Sequence, residues 1–406
     1  MHAFNGKGPA GVSPLVLSAL EQIVGERPSV RRDRIAESVA ELSRLFTRER
    51  DALGQPYLDN PEYSAAYLKY FFLVNLSKIQ VLLDEVPVET LVGGERGGLS
   101  VLDVGSGPGT GALAVLDWLH TCHPSRTKEL TVVATDSSVR ALQYCTSLWE
   151  AYCQSTAITS AYLATFEDDL ERVLTASRIH RIKQHGPYDV VILANCLNEL
   201  FRAESDPIAA RTKFVTELLS LLKPEGAVMV VEPALRETSR ALHLVRDRLL
   251  LEKRCTVYSP CLHENNCPAL LHPDDWCHEE RAWEPPAIIQ DIDDEVGFIK
   301  DALKFSYLLL RTDGRTIVER RPDVYRVVSE LRELKGEKRA WLCNELGRQE
   351  VGRQDRLASP ENAAVDAWHR GAIVQIERII RKERGGKVSS LGRIEQDATV
   401  EIIRSV

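Results

Sequence analysis

The chain has 406 residues, 44% of them hydrophobic and 27% charged, with nine cysteines and a formal net charge of −8. That length suits two or three domains with cores of their own, and the acidic balance argues against indiscriminate nucleic-acid binding. No stretch approaches the roughly 18 apolar residues of a membrane-spanning helix, and Glu21 and Gln22 interrupt the only leader-like run near the start; a cytoplasmic location with cysteines kept as thiols or bound to metal is therefore expected.

Residues 12–85 place apolar side chains at spacings of three and four in "SPLVLSALEQIV", "RIAESVAELSRLFTRERDAL" and "EYSAAYLKYFFLVNLSKIQVLLDEV", which predicts a helical N-terminal region over residues 1–95, closed by the glycine-rich linker "VGGERGGLS". From Leu99 the pattern changes to short β-branched runs, "LSVLDVG", "LTVVATD", "SAYLATF", "YDVVILAN" and "GAVMVVEP", separated by amphipathic segments. Alternating strands and helices predict an α/β domain, a parallel sheet covered on both faces, over residues 96–254. A helix, "ETSRALHLVRDRLLLEKR", leads into a cysteine-rich region, residues 255–345. Residues 346–406 read as a basic, β-rich extension with tight glycine turns, a small barrel or ribbon. Residues 301–406 carry a net +4 against −12 for residues 1–300; a solvated surface is the plainer reading of that excess, and a phosphate-binding face the sharper one.

"VLDVGSGPGTGALAVLDWLH" is a strand, a glycine turn and a helix, with Gly105, Gly107 and Gly109 at alternating positions. Glycines permit close backbone approach and positive φ, and the helix start offers free N–H groups. A dinucleotide fingerprint would read G-x-G-x-x-G. This loop reads G-x-G-x-G after Asp103, and a carboxylate there suits a ligand with an ammonium and a sulfonium, S-adenosylmethionine. "VVATDSS" ends the second strand at Asp136 and Ser137, where an acid accepts both ribose hydroxyl protons. "ATFEDD" offers Phe166 and Glu167 beside the adenine, and the fourth strand ends at Asn195, on the edge where open α/β sheets bind ligands. Taken together these motifs predict a Rossmann-like class I methyltransferase fold. Each also has a plainer reading: Asp136 as a helix cap, Asn195 and Asn198 as partners of a buried loop, Phe166 as core. "NCLNEL" would line the acceptor side and lacks the Asn-Pro-Pro-aromatic sequence of exocyclic-amine methylation. Methyl transfer needs positioning more than a protein nucleophile, and the sequence assigns no catalytic residue.

Cys122, Cys145, Cys153 and Cys196 fall in helix or strand patterns and fit plain burial. "CTVYSPCLHENNCPALLHPDDWC" is different: Cys261 and Cys267 flank polar turn material next to prolines. A metal set of Cys261, Cys267 and Cys277 needs a fourth ligand from Cys255, His263, His272, His278 or a distant cysteine, and the spacing leaves zinc and iron–sulfur both open.

The ordered set "LDVGSGPGT", "ANCLNEL", "VVEPA", "SPCLHENNCP", "DDWCHE", "KFSYLLLR" and "AWLCNELG" resembles the Rsm-type, methyltransferase-like family of small-ribosomal-subunit assembly proteins, to which methyltransferase-like protein seventeen belongs. The resemblance covers nearly the whole chain. It implies binding to the small ribosomal subunit and its rRNA, with no membrane or DNA partner, and a [4Fe-4S] cluster on Cys261, Cys267, Cys277 and Cys343, with Cys255 a bystander. This sequence departs from the family in Leu262 after the first cysteine and in the acidic residues after "WCH". With the cluster as a fixed platform, Arg348, Arg353, Arg356, Arg370, Arg381, Lys382, Arg384 and Lys387 become the expected phosphate contacts.

Overall fold

The computed structural model describes residues 10–25, 32–49, 57–87, 98–124, 130–172, 176–384 and 386–405. The N-terminal region is helical as expected: α1 Pro14–Val24, α2 Arg32–Thr47, α3 Pro61–Ala66 and α4 Leu73–Leu83, the last two joined without a break through a π-helical turn, Tyr67–Phe72. Local chemistry sets the starts. Ser13 accepts from the Leu15 N–H at 3.1 Å and Asn60 from the Glu62 N–H at 2.8 Å, each followed by proline at the first helical position. Of the linker expected at 92–100, residues 92–97 lie outside the described residues, and Ser100 already belongs to the first strand.

Five strands follow, β1 Ser100–Val104, β2 Thr131–Asp136, β3 Tyr162–Glu167, β4 Tyr188–Ala194 and β5 Leu222–Pro233. They are runs of valine, leucine and isoleucine because helices cover both faces of a parallel sheet. The covering helices are α5 Thr110–Cys122, α6 Val139–Thr156, α7 Ala176–His185, α8 Pro207–Leu219 and α9 Arg236–Leu251. The sheet does not stop at residue 254. Strands β6 Thr256–Ser259, β7 Glu279–Glu284 and β8 Ala302–Arg311 extend it, with helix α10 Ala287–Val296 between β7 and β8. β8 pairs antiparallel with both β5 and β7, giving the order β3-β2-β1-β4-β5-β8-β7. Five parallel strands followed by an antiparallel one inserted before the last form the Rossmann-like methyltransferase fold. Strand order reverses between β1 and β4, which opens a crevice over their carboxyl ends. The cysteine stretch is thus an insertion between β6 and β7 of this sheet.

The C-terminal residues form a separate sheet that begins earlier than residue 346. Its strands are β9 Val324–Val327, β10 Glu337–Asn344, β11 Gly347–Gln354, β12 Ile373–Ile376, β13 Leu391–Ile394 and β14 Val400–Arg404. β9 pairs antiparallel with β10 and β12, β10 antiparallel with β11, and β11 parallel with β13; an Ile380–Arg393 bridge links the continuation of β12 to β13. A 3-10 helix, Pro360–Ala367, fills the β11–β12 connection. These pairings are those of the five-stranded Greek-key barrel called the OB-fold, with β14 added on β12. Its core is Tyr325, Val327, Ala340, Leu342, Val351, Val365, Trp368, Val374, Ile376 and Ile394. Among the described residues, no helix is long and apolar enough to cross a membrane.

Candidate functional site

At the switch point, Gly105, Gly107 and Gly109 adopt φ of +66°, +54° and +84°. A Cβ at Gly105 would stand 2.7 Å from Cys196 Sγ, and one at Gly109 2.6 Å from Cys145 Sγ. The loop is therefore glycine for both conformation and space. Asp136, at the end of β2, braces it: Oδ2 accepts from the Gly107 N–H at 2.8 Å and Oδ1 from the Ser138 N–H at 2.9 Å. Burial pushes this carboxyl above its ordinary range, against the backbone donors that favour its charge.

Beyond the loop lies a cavity of about 730 Å³, lined by Gly105, Gly107, Asp136, Ser137, Leu170 and Asn195 on the sheet side. Asn195 holds a left-handed φ of +55°, and its N–H donates to Val231 O at 2.7 Å. Such conformations in non-glycine residues collect at ligand sites. The opposite wall is the N-terminal helical region. Tyr67, Phe71, Val74, Asn75 and Lys78 fall on one helical stripe facing the cavity, joined by Phe46 and Tyr57. Phe46, Tyr57, Tyr67 and Phe71 pack edge to face or tilted, with ring centroids 5.1–6.3 Å apart. Burial pushes Tyr67 up to about 12.

A second, smaller cavity of about 40 Å³ sits where the insertion meets the barrel, lined by Cys261, Cys267, Cys277 and Cys343 together with His263, His278, Arg326, Arg348 and Arg370. Cys343 comes from β10, opposite Arg326 and Arg348 in the barrel ladder. His263 Nε2 lies 3.7 Å from Cys343 Sγ. The insertion is clamped by buried arginine: Arg246, fully buried on α9, donates to Asn265 O at 2.9 Å and to His263 O. Arg240 donates to His272 O and Asp275 O, both at 2.7 Å. Burial pushes Cys277 up to about 11 and raises Cys267 and Cys343 further, with the neighbouring cysteines adding to it. Buried N–H groups of Arg326, Arg348 and Arg370 around the cavity have no protein acceptor. Four thiols ringed by guanidinium donors fit an anionic, sulfur-rich metal group, since each orphaned donor would find an acceptor there. Among the described residues, no three of His, Cys, Asp and Glu come close enough to hold a single metal ion.

The model of the family described as "Mitochondrial small ribosomal subunit Rsm22" matches residues 61–353, from helix α3 through the glycine loop and all four of these cysteines to barrel strand β11. The chain belongs to the Rsm22 family. Among solved structures it is similar to the plantazolicin methyltransferase BamL, in complex with a triazolic desmethylPZN analog and SAH, at 16% identity, covering 68% of this chain and 97% of that one with a TM-score of 0.33. It is also similar to an O-methyltransferase family protein from Burkholderia thailandensis, at 16% identity, 74% and 72% coverage and a TM-score of 0.30. The strand order β3-β2-β1-β4-β5-β8-β7 is itself that of a Rossmann-like methyltransferase. No curated protein matches the chain.

Within this Rsm22-family chain the residues expected at the cofactor site divide. Gly105, Gly107, Asp136, Ser137 and Asn195 share the larger cavity. Gly109 caps α5 just behind it. Asp103 does not line the cavity: its carboxylate is buried and accepts from the Ala112 N–H at 2.8 Å, where it secures the helix start. Phe166 and Glu167 stand outside as well. The Phe166 ring packs 5.6 Å from His185 with the Arg181 guanidinium above it, Glu167 is exposed, and Leu170 takes the lining position after β3. The helical stripe from Tyr67 to Lys78 went unassigned in the sequence, where its spacing reads only as an amphipathic helix. Cys255 is not part of the cysteine cavity. Cys122 is exposed at the end of α5.

The arginines expected on a phosphate platform are largely committed elsewhere. Arg353 is buried and donates to Asn362 O at 3.0 Å and Asp366 Oδ1 at 2.7 Å. Arg348 pairs with Asp275 at 2.6 Å, and Arg370 donates to Val328 O at 2.6 Å. Arg381 holds Ser389 O at 2.9 Å and Arg356 bonds Gln354. Lys382 is exposed, and the side chains of Arg384 and Lys387 lie outside the described residues.

Proposed function

We propose that this chain binds S-adenosylmethionine in the larger cavity, carries a structural [4Fe-4S] cluster in the smaller one, and acts on the small ribosomal subunit, methylating its rRNA or assisting its assembly, in the cytoplasm. The observation that carries the cofactor reading is Asp136, a carboxylate at the end of β2 that lines the cavity beside the glycine loop and is held there by the Gly107 and Ser138 N–H groups. Two vicinal ribose hydroxyls match that arrangement. S-adenosylmethionine would supply an activated methyl group; the residues here orient the ligand between loop and helical stripe and exclude water from it. The family description supports the ribosomal partner.

For the smaller cavity, Cys261, Cys267, Cys277 and Cys343 would be the ligands. A single zinc ion pulls four sulfurs into one tight tetrahedron. Thiolates on a four-iron cluster bind separate corners and stand farther apart, and the four cysteines line one cavity from the insertion and the barrel. The role is a cross-link between insertion and barrel.

Equilibrium binding of labelled S-adenosylmethionine to wild type and Asp136→Ala tests the first part: a loss of tenfold or more is expected, and equal affinity overturns it. Iron, sulfide and zinc analysis of anaerobically purified protein tests the second. Iron and sulfide at about four per chain, falling sharply in Cys343→Ser, are expected; stoichiometric zinc without sulfide overturns it. Methyl transfer to small-subunit RNA, abolished by Asp136→Ala, separates an enzyme from a cofactor-holding assembly factor.

A further inference from the structure

Two lysines in the larger cavity lack the counter-charge that buried lysines need. Lys78, on α4, is 8% exposed, and its Nζ donates to Asn75 Oδ1 at 3.0 Å. Lys300, in the segment before β8, lines the same cavity, and the two repel each other. No carboxylate among the described residues lies within ion-pairing distance of either. Of the nearby acids, Asp293 accepts from Tyr70 Oη at 2.6 Å, Glu280 pairs with Lys304 at 3.1 Å, and Glu232 accepts from the Asn198 N–H at 3.3 Å while its charge acts on Lys78 without reaching it; Asp59, Asp136 and Glu199 line the same cavity. Lys78 is buried and Lys300 half-buried; holding two like charges together there without an anion is costly, and desolvation lowers the basicity of both, Lys78 to about 7. Lysines have no acceptor capacity and find their partners only among anions or neutral oxygens.

Position narrows the choice of anion. Lys78 and Lys300 share the cavity with Ala194, Asn195, Pro233 and Ala234, the carboxyl ends of β4 and β5, whereas Asp136 marks the end of β2 with the glycine loop of β1 between. A nucleoside held by its ribose at Asp136 and spanning the glycine loop would reach the β4–β5 end of the cavity, where the lysines lie. We propose that Lys78 and Lys300 form a subsite for an anionic oxygen group, a carboxylate or a phosphate, at the β4–β5 end of the cavity. The two sources are the α-carboxylate of the adenosyl cofactor's amino-acid arm, which rests on the cofactor reading above, and the phosphate of an acceptor nucleotide, which does not. Asn75 fixes the Lys78 ammonium, so the subsite is built in advance of its ligand.

Calorimetric titration of the full chain with S-adenosylhomocysteine, with 5′-methylthioadenosine, which lacks the carboxylate, and with inorganic phosphate tests this. The expected result is that Lys78→Met weakens S-adenosylhomocysteine by about tenfold to a hundredfold, as loss of a hydrogen bond to a charged group does, while methylthioadenosine binding is unchanged. Lys78→Arg restores most of the affinity, and Lys300→Met reproduces the selective loss should Lys78→Met misfold. Loss of phosphate affinity alone in the lysine variants supports the subsite with phosphate as its source. Wild-type protein that binds neither nucleoside but binds phosphate through Lys78 overturns the cofactor reading and leaves the subsite standing. Equal weakening of both nucleosides, or no change with any probe, overturns the subsite.

Discussion

Asp103 and Lys78 are both buried ionisable groups, and each tilts stability in its own pH window. Burial pushes Asp103 up to about 7 from an ordinary 3.8, helped by the nearby Asp136. Its folded form holds the proton more tightly than the unfolded chain, so the stabilisation is fully present below about pH 4 and is lost as pH rises through about 7. Lys78 runs the other way: pushed down to about 7 from 10.5, it leaves the fold most stable above 10.5 and costs stability as pH falls to 7. Melting curves of the ligand-free protein should therefore show Asp103→Asn gaining about 2–4 °C over wild type at pH 8 and little at pH 4. Lys78→Met should gain at pH 7 and lose that advantage toward pH 10.5. Parallel pH profiles for the two variants would contradict these assignments. The sequence made Asp136 legible because its role is local, one residue at the end of a strand beside a glycine turn. Asp103 reads the same in sequence whether its carboxylate faces a ligand or is tied to the Ala112 N–H, and only the structure shows the second contact. Lys78 was invisible for want of any sign that its stripe of helix closes a cavity.

At the scale of elements, the glycine turn was legible because strand, turn and helix follow one another within twenty residues. The prediction at this scale concerns Gly109, whose φ of +84° and the 2.6 Å approach of Cys145 Sγ make two separate demands. Alanine there meets a left-handed penalty and an overpacked neighbour, together roughly 2–4 kcal/mol. Gly107 also has a positive φ, but a Cβ there would meet nothing within 4 Å, so Gly107→Ala should cost only the backbone part, about 1–2 kcal/mol. Denaturant midpoints of the two variants check the difference, and equal losses would show that Cys145 yields without cost. The barrel was only half legible. Its hairpins, such as β10–β11 turning at Gly347, come from neighbouring residues, but the parallel β11–β13 pairing joins Val351 to Gly392 across a long gap that no local pattern encodes. The arginines were misread for a related reason: a basic run shows charge, while the carbonyls and carboxylates that absorb it arrive from distant strands.

Across the whole molecule, the helical region, the sheet and the barrel meet in one buried cluster of charges. Glu85, just past α4, accepts from Arg281 at 2.6 Å, from Tyr307 Oη at 2.8 Å and from Ser259 Oγ at 2.8 Å. Arg281 also pairs with Glu279 at 2.6 Å, and Arg326 of the barrel reaches Glu279 at 2.6 Å and Tyr307 Oη at 2.9 Å. Two carboxylates and two guanidiniums balance, and Arg326 and Arg281 hold Glu85 below its ordinary range although burial opposes them. A balanced buried network adds little net stability over apolar packing, but removing one member strands the others in a low dielectric, at about 3–5 kcal/mol. Because Glu279 and Arg326 also line the cysteine cavity, the same cluster fixes the relative position of the insertion that carries Cys277 and the strand that carries Cys343. Glu85→Ala, far from every cysteine in sequence, should thus lower the melting temperature of the whole chain in a single calorimetric transition and lower iron retention at the same time. Separate transitions, with the barrel melting at its wild-type temperature, would mean that this charge cluster does not couple the three parts.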